Sequence, residues 1–232
     1  MFSWGSRRKV LYVASAIFFL LFITIALFIV TFYKHPTCSD GKQNGDEQGI
    51  DCGGSCNTVC KEAVSPISLD WARAFMVKDK YYSVAAYLQN PNNYYEAKNV
   101  VYQFKVYDAH NVLIAEPRGK TFVPAGQSFG VLQGSLYFGD RLPSRVTFEW
   151  QSEPVWTKAL DNKELIAVKD VTKSIDDSGL AKISATVSNQ GLRPINNIYG
   201  FVIAYNNRGD AIAVSETVID KVDGGGKENL VF

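Results

Sequence analysis

Hydrophobic positions along this chain follow two regimes. From Val10 to Tyr33 the run VLYVASAIFFLLFITIALFIVTFY contains no charged residue. At about 1.5 Å of rise per residue, a helix of that length crosses a hydrocarbon core of roughly 30 Å with some tilt. After Ile67 the period drops to two. Leu69, Trp71 and Phe75 mark a first strand, Tyr82, Val84, Ala86 and Leu88 a second, and Val100, Tyr102, Phe104 and Val106 a third. Val112–Ala115, Phe129–Leu132 and Arg145–Trp150 continue the series. Turn formers separate the runs at Lys78-Asp79-Lys80, Asn90-Pro91-Asn92-Asn93, Asp108-Ala109-His110-Asn111 and Pro124-Ala125-Gly126. Short alternating strands punctuated in this way predict an antiparallel sandwich.

The pattern then repeats. Val84–Asn90 aligns with Ile183–Asn189, Asn99–Tyr102 with Asn197–Gly200, Tyr107-Asp108 with Tyr205-Asn206, Leu113–Ala115 with Ala211–Ala213, and Pro124–Gly126 with Val222–Gly224. The offset is 99 residues in the first block and 98 in the others. Self-similarity at a nearly constant offset predicts tandem units, joined near Gln151–Pro154. Phe232 aligns with about Gly134, so the second unit has no counterpart of Arg145–Trp150. Either the second sandwich is complete with fewer strands or the chain is C-terminally truncated; truncation is the favoured expectation, and it would place Glu228–Phe232 at an exposed sheet edge.

Between the apolar run and the strands lies PTCSDGKQNGDEQGIDCGGSCNTVC, residues 36–60, which has little to build a core from. All four cysteines of the chain, Cys38, Cys52, Cys56 and Cys60, are here. Two disulfides in any of three pairings fit an oxidising compartment. Zinc is the rival, but C-x3-C-x3-C is looser than common zinc spacings. Asp40, Asn44, Asp46 and Asp51 fall at positions 1, 5, 7 and 12 of a twelve-residue loop with Gly45 at position 6, close to the oxygen spacing of a calcium loop. Lys42 stands where a ligand is needed and no flanking helices are evident, so a set of Asx turns is the alternative. Calcium is the one cofactor the sequence suggests.

Charge settles orientation more than chemistry. Arg7, Arg8 and Lys9 precede the apolar run, which places the N-terminus in the cytoplasm. The exit from the run has no small-residue cleavage site and Cys38 no lipobox, so an uncleaved anchor is expected. The net charge of +1 offers no field for nucleic acid. An aromatic content of 13% favours sheet. Histidine occurs only as His35 and His110, which leaves little for histidine-based catalysis. Asp176-Asp177 and Gly224-Gly225-Gly226 read as turns rather than as an acid/base pair or a phosphate loop. Tyr94 and Tyr95, beside the Asn-Pro turn, are a weak candidate contact for a glycan or protein partner.

Two resemblances attach to these motifs. Asn99-Val100-x-Tyr102-x-Phe104-x-Val106-Tyr107-Asp108, followed by Ile114-Ala115 and Pro124-Ala125-Gly126, resembles the FxLYD-type domain, an immunoglobulin-like sandwich of bacterial envelope proteins, with Val for Leu in the name motif. The second copy, Val202-Ile203-Ala204-Tyr205-Asn206, is equally similar to the adhesion-type modules called CARDB. The segment C-x-D-G-x-x-N-G-x-E-x-G-x-D-C-G-G-x-C resembles a cysteine motif of bacterial surface proteins. These resemblances imply a fold and a place but no catalytic residues.

The expectation is therefore a mainly β protein: cytoplasmic tail 1–9, transmembrane helix 10–33, Cys-rich segment 36–61, and two tandem immunoglobulin-like antiparallel β-sandwiches over 66–151 and 155–232. Its expected role is non-enzymatic. It is a single-pass cell-membrane protein, held by the lipid bilayer, that presents residues 36–232 outside for structural or protein-interaction purposes. A calcium-dependent or glycan-binding surface adhesion module is the alternative.

Overall fold

The computed structural model describes residues 4–32, 37–159, 165–175 and 181–232. His35, Tyr33 and the Asp176-Asp177 pair lie outside the described residues. Helix α1, Trp4–Phe32, is one continuous helix. Its stretch Arg8–Val30 is long and apolar enough to cross a membrane, and none of it is covered by the rest of the chain. Apolar side chains occupy its whole circumference from Val10 to Val30, so the helix has no polar face. Two of its hydroxyls bond back to its own backbone: that of Ser15 donates to the Tyr12 carbonyl and that of Thr24 to the Leu21 carbonyl, each at 2.9 Å.

Thirteen strands follow among the described residues, in two groups. The first comprises β1 (Ser68–Lys78), β2 (Tyr81–Gln89), β3 (Tyr95–Tyr107), β4 (Leu113–Ala115), β5 (Arg118–Val123), β6 (Ser128–Tyr137), β7 (Arg145–Trp150) and β8 (Trp156–Lys158). β1, β2 and β6 form one sheet; β3 forms the other, with β4 and β5 on one edge and β7 and β8 on the opposite edge. The core between them holds Val84, Ala86 and Leu88 of β2, Tyr102, Phe104 and Val106 of β3, Val131 and Phe148. These are the alternate positions the period-two pattern selects. Each large side chain buried there contributes about 1.5–3 kcal/mol.

The second group is β9 (Ile166–Ile175), β10 (Ala181–Asn189), β11 (Ile195–Tyr205), β12 (Ala211–Val222) and β13 (Lys227–Val231). β10 lies between β9 and β13 in one sheet, with β13 at the edge; β11 and β12 form the other. The core is thinner: Ala185, Val187 and Leu230, backed by Ile166, Ile198, Ile219 and Phe232.

Local hydrogen bonding is duplicated between the groups. Asn90, at the end of β2, donates its side-chain amide to the carbonyls of Tyr95 and Pro124, while its Oδ1 accepts from the Asn92 amide. Asn189, at the end of β10, donates to Arg193 and Val222 and accepts from Gly191. Both side chains are 1% exposed. Asp108 and Asn206 each cap a hairpin turn by accepting the amides two and four residues on. Asn99 and Asn197 both take the left-handed conformation, φ 56° and 54°, within β3 and β11.

One face differs from simple sandwich expectation. Trp71 and Phe75 mark β1 but point away from the first core, where Ala72 and Ala74 face inward. Trp71 stacks on Tyr87 of β2 with ring centroids 5.8 Å apart. Ser83, Ala85 and Phe75 on this outer side are buried nonetheless, because the second group lies against it: the Phe201 ring of β11 occupies the space above Gly130 of β6.

Candidate functional site

The Cys-rich segment folds around its covalent links. Cys38 bonds Cys56, and Cys52 bonds Cys60. Gly53 and Gly54 sit between the bridges with φ of 78° and 54°. A Cβ at Gly54 would collide with the Asp46 carbonyl, so the Cys-Gly-Gly sequence is a backbone requirement of the tight return.

The four residues with calcium-like spacing do not converge on a point. Both carboxylate oxygens of Asp51 accept backbone amides, from Asp40 and Gly41 at 2.9 Å. Asp40 accepts the Asn44 side-chain amide at 2.9 Å and the Lys42 backbone amide at 3.0 Å. Asp46 turns instead to the Ser55 hydroxyl at 2.7 Å, and that bond holds its carboxyl below the usual range. The loop is thus closed by its own oxygens. The Asn44 Oδ1 atom is buried with no partner. Among the described residues, the one trio of His, Cys, Asp or Glu within metal-binding distance is Cys38, Glu47 and Cys56. Its two sulfurs are bonded to each other.

The segment is also fixed to the first sandwich, a role the sequence pattern does not reveal. Val59 donates to the Trp156 carbonyl at 2.9 Å, Lys158 donates to Asn57 at 3.1 Å, and the Lys158 ammonium reaches the Gly54 carbonyl at 2.7 Å. Val59 itself is buried with Ala97, Val100, Val123 and Trp156. Asn92 grips the linker by accepting from the Ser65 amide and donating to the Ser65 carbonyl, each at 2.8 Å. Lys61 pairs with Glu153 at 2.5 Å. The segment is therefore a collar seated on one end of the sandwich.

Tyr94 stands exposed beside the Asn-Pro turn, while Tyr95 packs against the cluster that holds Val59. His110 is exposed in its turn and donates its backbone amide to Asp108. Gly224–Gly226 lies in the turn between β12 and β13. A shallow cleft beside the collar, walled by Val59, Pro154 and Trp156, carries the Lys61–Glu153 pair at its rim.

Displaced titrations have structural causes. The Val112 and His110 amides hold the Asp108 carboxyl low. Desolvation where β12 approaches the first sandwich pushes the Glu216 carboxyl up, and burial, with Glu216 nearby, raises the Tyr102 phenol. The roles of Asn90, Asn92 and Asn189 in holding backbone groups are not marked in the sequence beyond the Asn-Pro turn; for Asn90 and Asn189 the available clue is their recurrence at equivalent places. The chain matches no family model and no curated protein.

Proposed function

We propose that this is a non-enzymatic, single-pass protein of a bacterial cell envelope. In this reading α1 is a retained anchor with its N-terminus in the cytoplasm. The outer part is two copies of one immunoglobulin-like unit, of the FxLYD or CARDB kind, that hold an interaction surface clear of the membrane. The observation that carries the reading is the collar. A bare apolar helix runs, across the short interval 33–36, into a segment cross-linked by two disulfides and hydrogen-bonded onto the first sandwich. Disulfides persist where the compartment is oxidising, which fits a segment that lies outside the membrane. The basic Arg7-Arg8-Lys9 cluster supports the same orientation.

Protease protection in sealed, right-side-out vesicles tests the reading. External protease should remove residues 36–232 and leave a small protected fragment containing α1. Full protection of the β part until detergent is added would refute it.

A further inference from the structure

The joint between the two sandwiches runs from one turn to its repeat. Ala159, one residue past β8, donates its backbone amide to the Tyr94 carbonyl at 2.8 Å. Leu165, one residue before β9, accepts the Gln190 amide at 2.6 Å and lays its side chain against Gly191. Tyr94 closes the turn between β2 and β3, and Gln190–Leu192 opens the turn between β10 and β11. These turns follow Asn90 and Asn189, the enclosed asparagines at equivalent places. Six Cα steps separate Ala159 from Leu165, so the two points lie within about 22 Å of each other. The equivalent turns of the two units are therefore neighbours.

Each turn carries one large apolar side chain that the protein leaves uncovered. Tyr94 is 77% exposed and Leu192 99%. Both turns are nonetheless held. The Tyr95 amide donates to the Asn92 carbonyl, and the Asn92 side chain is clamped to Ser65. The Gly225 amide donates to the Gly191 carbonyl at 3.0 Å, and a Cβ at Gly224 would collide with the Leu192 carbonyl. Single exposed apolar residues are common on any protein. Turn tips, however, favour polar types, and here the exception recurs at equivalent turns.

The same end of the first sandwich receives the chain from α1. Five Cα steps lead from Phe32, the end of α1, to Thr37 beside Cys38, a reach of at most about 18 Å. The Cys38–Cys56 bond and the Thr58–Thr157 bridge then carry the connection to β8, where Lys158 lies opposite Tyr95. Leu142, in the turn before β7, lies at the opposite end of the sandwich.

We propose that Tyr94 and Leu192 rest in the headgroup boundary of the bilayer that holds α1, so that both sandwiches meet the membrane through their equivalent turns. A tyrosine ring suits that boundary because it offers an apolar body and a polar tip, and leucine adds apolar area. Charge does not draw this end to lipid. Between Cys38 and Cys52 the collar carries Asp40, Asp46, Glu47 and Asp51 against Lys42. The attraction is apolar and needs no anionic lipid. The proposal rests on the retained-anchor reading above, though not on which side of the membrane the sandwiches occupy.

The test uses the full chain in nanodiscs of zwitterionic phosphatidylcholine. All four native cysteines are disulfide-bonded, so Tyr94→Cys, Leu192→Cys and Leu142→Cys each supply a single thiol for a fluorophore. Phosphatidylcholine with a nitroxide high on its acyl chain should quench the label at 94 and at 192 about two-fold or more, and leave that at 142 unchanged. Adding anionic lipid should not alter the result. Absence of quenching at 94 or 192 in chains that co-elute with the discs would overturn the proposal and leave the anchor standing. Equal quenching at 142, or quenching that needs anionic lipid, would also overturn it. Shielding of the 192 label from aqueous iodide without lipid quenching would assign that turn to a protein contact instead. Chains that never enter the discs would remove the anchor reading, and this proposal with it.

Discussion

The ring of Phe201 rests on the bare backbone of Gly130, 71 residues earlier in the chain and in the other sandwich. This contact explains why Ala85 and Ser83, on the side of β2 that faces away from the first core, are buried. It also accounts for an apolar side chain at Phe201 on the outer face of β11, where Tyr199 and Tyr205 are exposed. Gly130→Val should push the ring off and cost about 1–3 kcal/mol. Calorimetry should show lowered thermal stability. Combining it with Phe201→Ala should cost less than the two single changes added, because the ring no longer fills the space.

Asn90 and Asn189 close the same turn in each unit, and each is fully enclosed. Replacing either with Ala strands two carbonyls and at least one amide, for an expected loss of about 2–4 kcal/mol. Asp at these positions should be no better, since a carboxylate would face the two carbonyl oxygens. Denaturant titration of the single variants checks both statements. Equal and large effects at the two sites would support equivalent roles.

Two acidic residues should respond to pH in opposite senses. The Glu216 carboxyl is raised in the folded protein by desolvation. Its neutral form is therefore favoured on folding, and stability falls as pH rises through the interval from the ordinary glutamate value up to the raised one. Glu216→Gln should raise thermal stability at pH 7 and make no difference near pH 3. The Asp108 carboxyl is lowered, first by the Val112 amide and then by that of His110. Its contribution is present above the ordinary aspartate value and lost as pH falls through the lowered one. Asp108→Asn should remove that acid sensitivity, since Asn206 caps the equivalent turn with a neutral amide.

The collar should be held by sulfur rather than by an ion. Cys38→Ser with Cys56→Ser opens a link spanning 18 residues and should cost about 2–4 kcal/mol. Loosening should spread to Val59, which belongs to the core cluster with Trp156. Calcium and a chelator should give the same melting temperature, because Asp40, Asp46 and Asp51 are already engaged by amide and hydroxyl donors. A calcium-dependent rise would restore the ligand reading of that loop.

Much of this architecture can be read from residue types. The run Val10–Tyr33 shows by its length and absence of charge a helix long and apolar enough to cross a membrane. Val84, Ala86 and Leu88 show their burial by alternation, and the turns at Asn90 and Asp108 show themselves by side chains that cap local amides. These are short-range properties, so they survive in the one-dimensional pattern. The candidate sites were less legible. Spacing put Asp40, Asn44, Asp46 and Asp51 in one loop, yet Asp46 turned to Ser55, and the choice between an ion and a backbone amide depends on a fold the spacing does not specify.

By itself the sequence determined the apolar helix, the strand series, the clustering of cysteines and the repeated turns, because each depends on residues within a few positions of one another. Tertiary structure alone decided which cysteines pair, that the collar inserts Val59 into the first sandwich, that Trp71 and Phe75 point outward, and that Phe201 settles on Gly130. Those outcomes join segments far apart in the chain. Their energy comes from surfaces that do not exist until both sides have folded, so no local pattern records them.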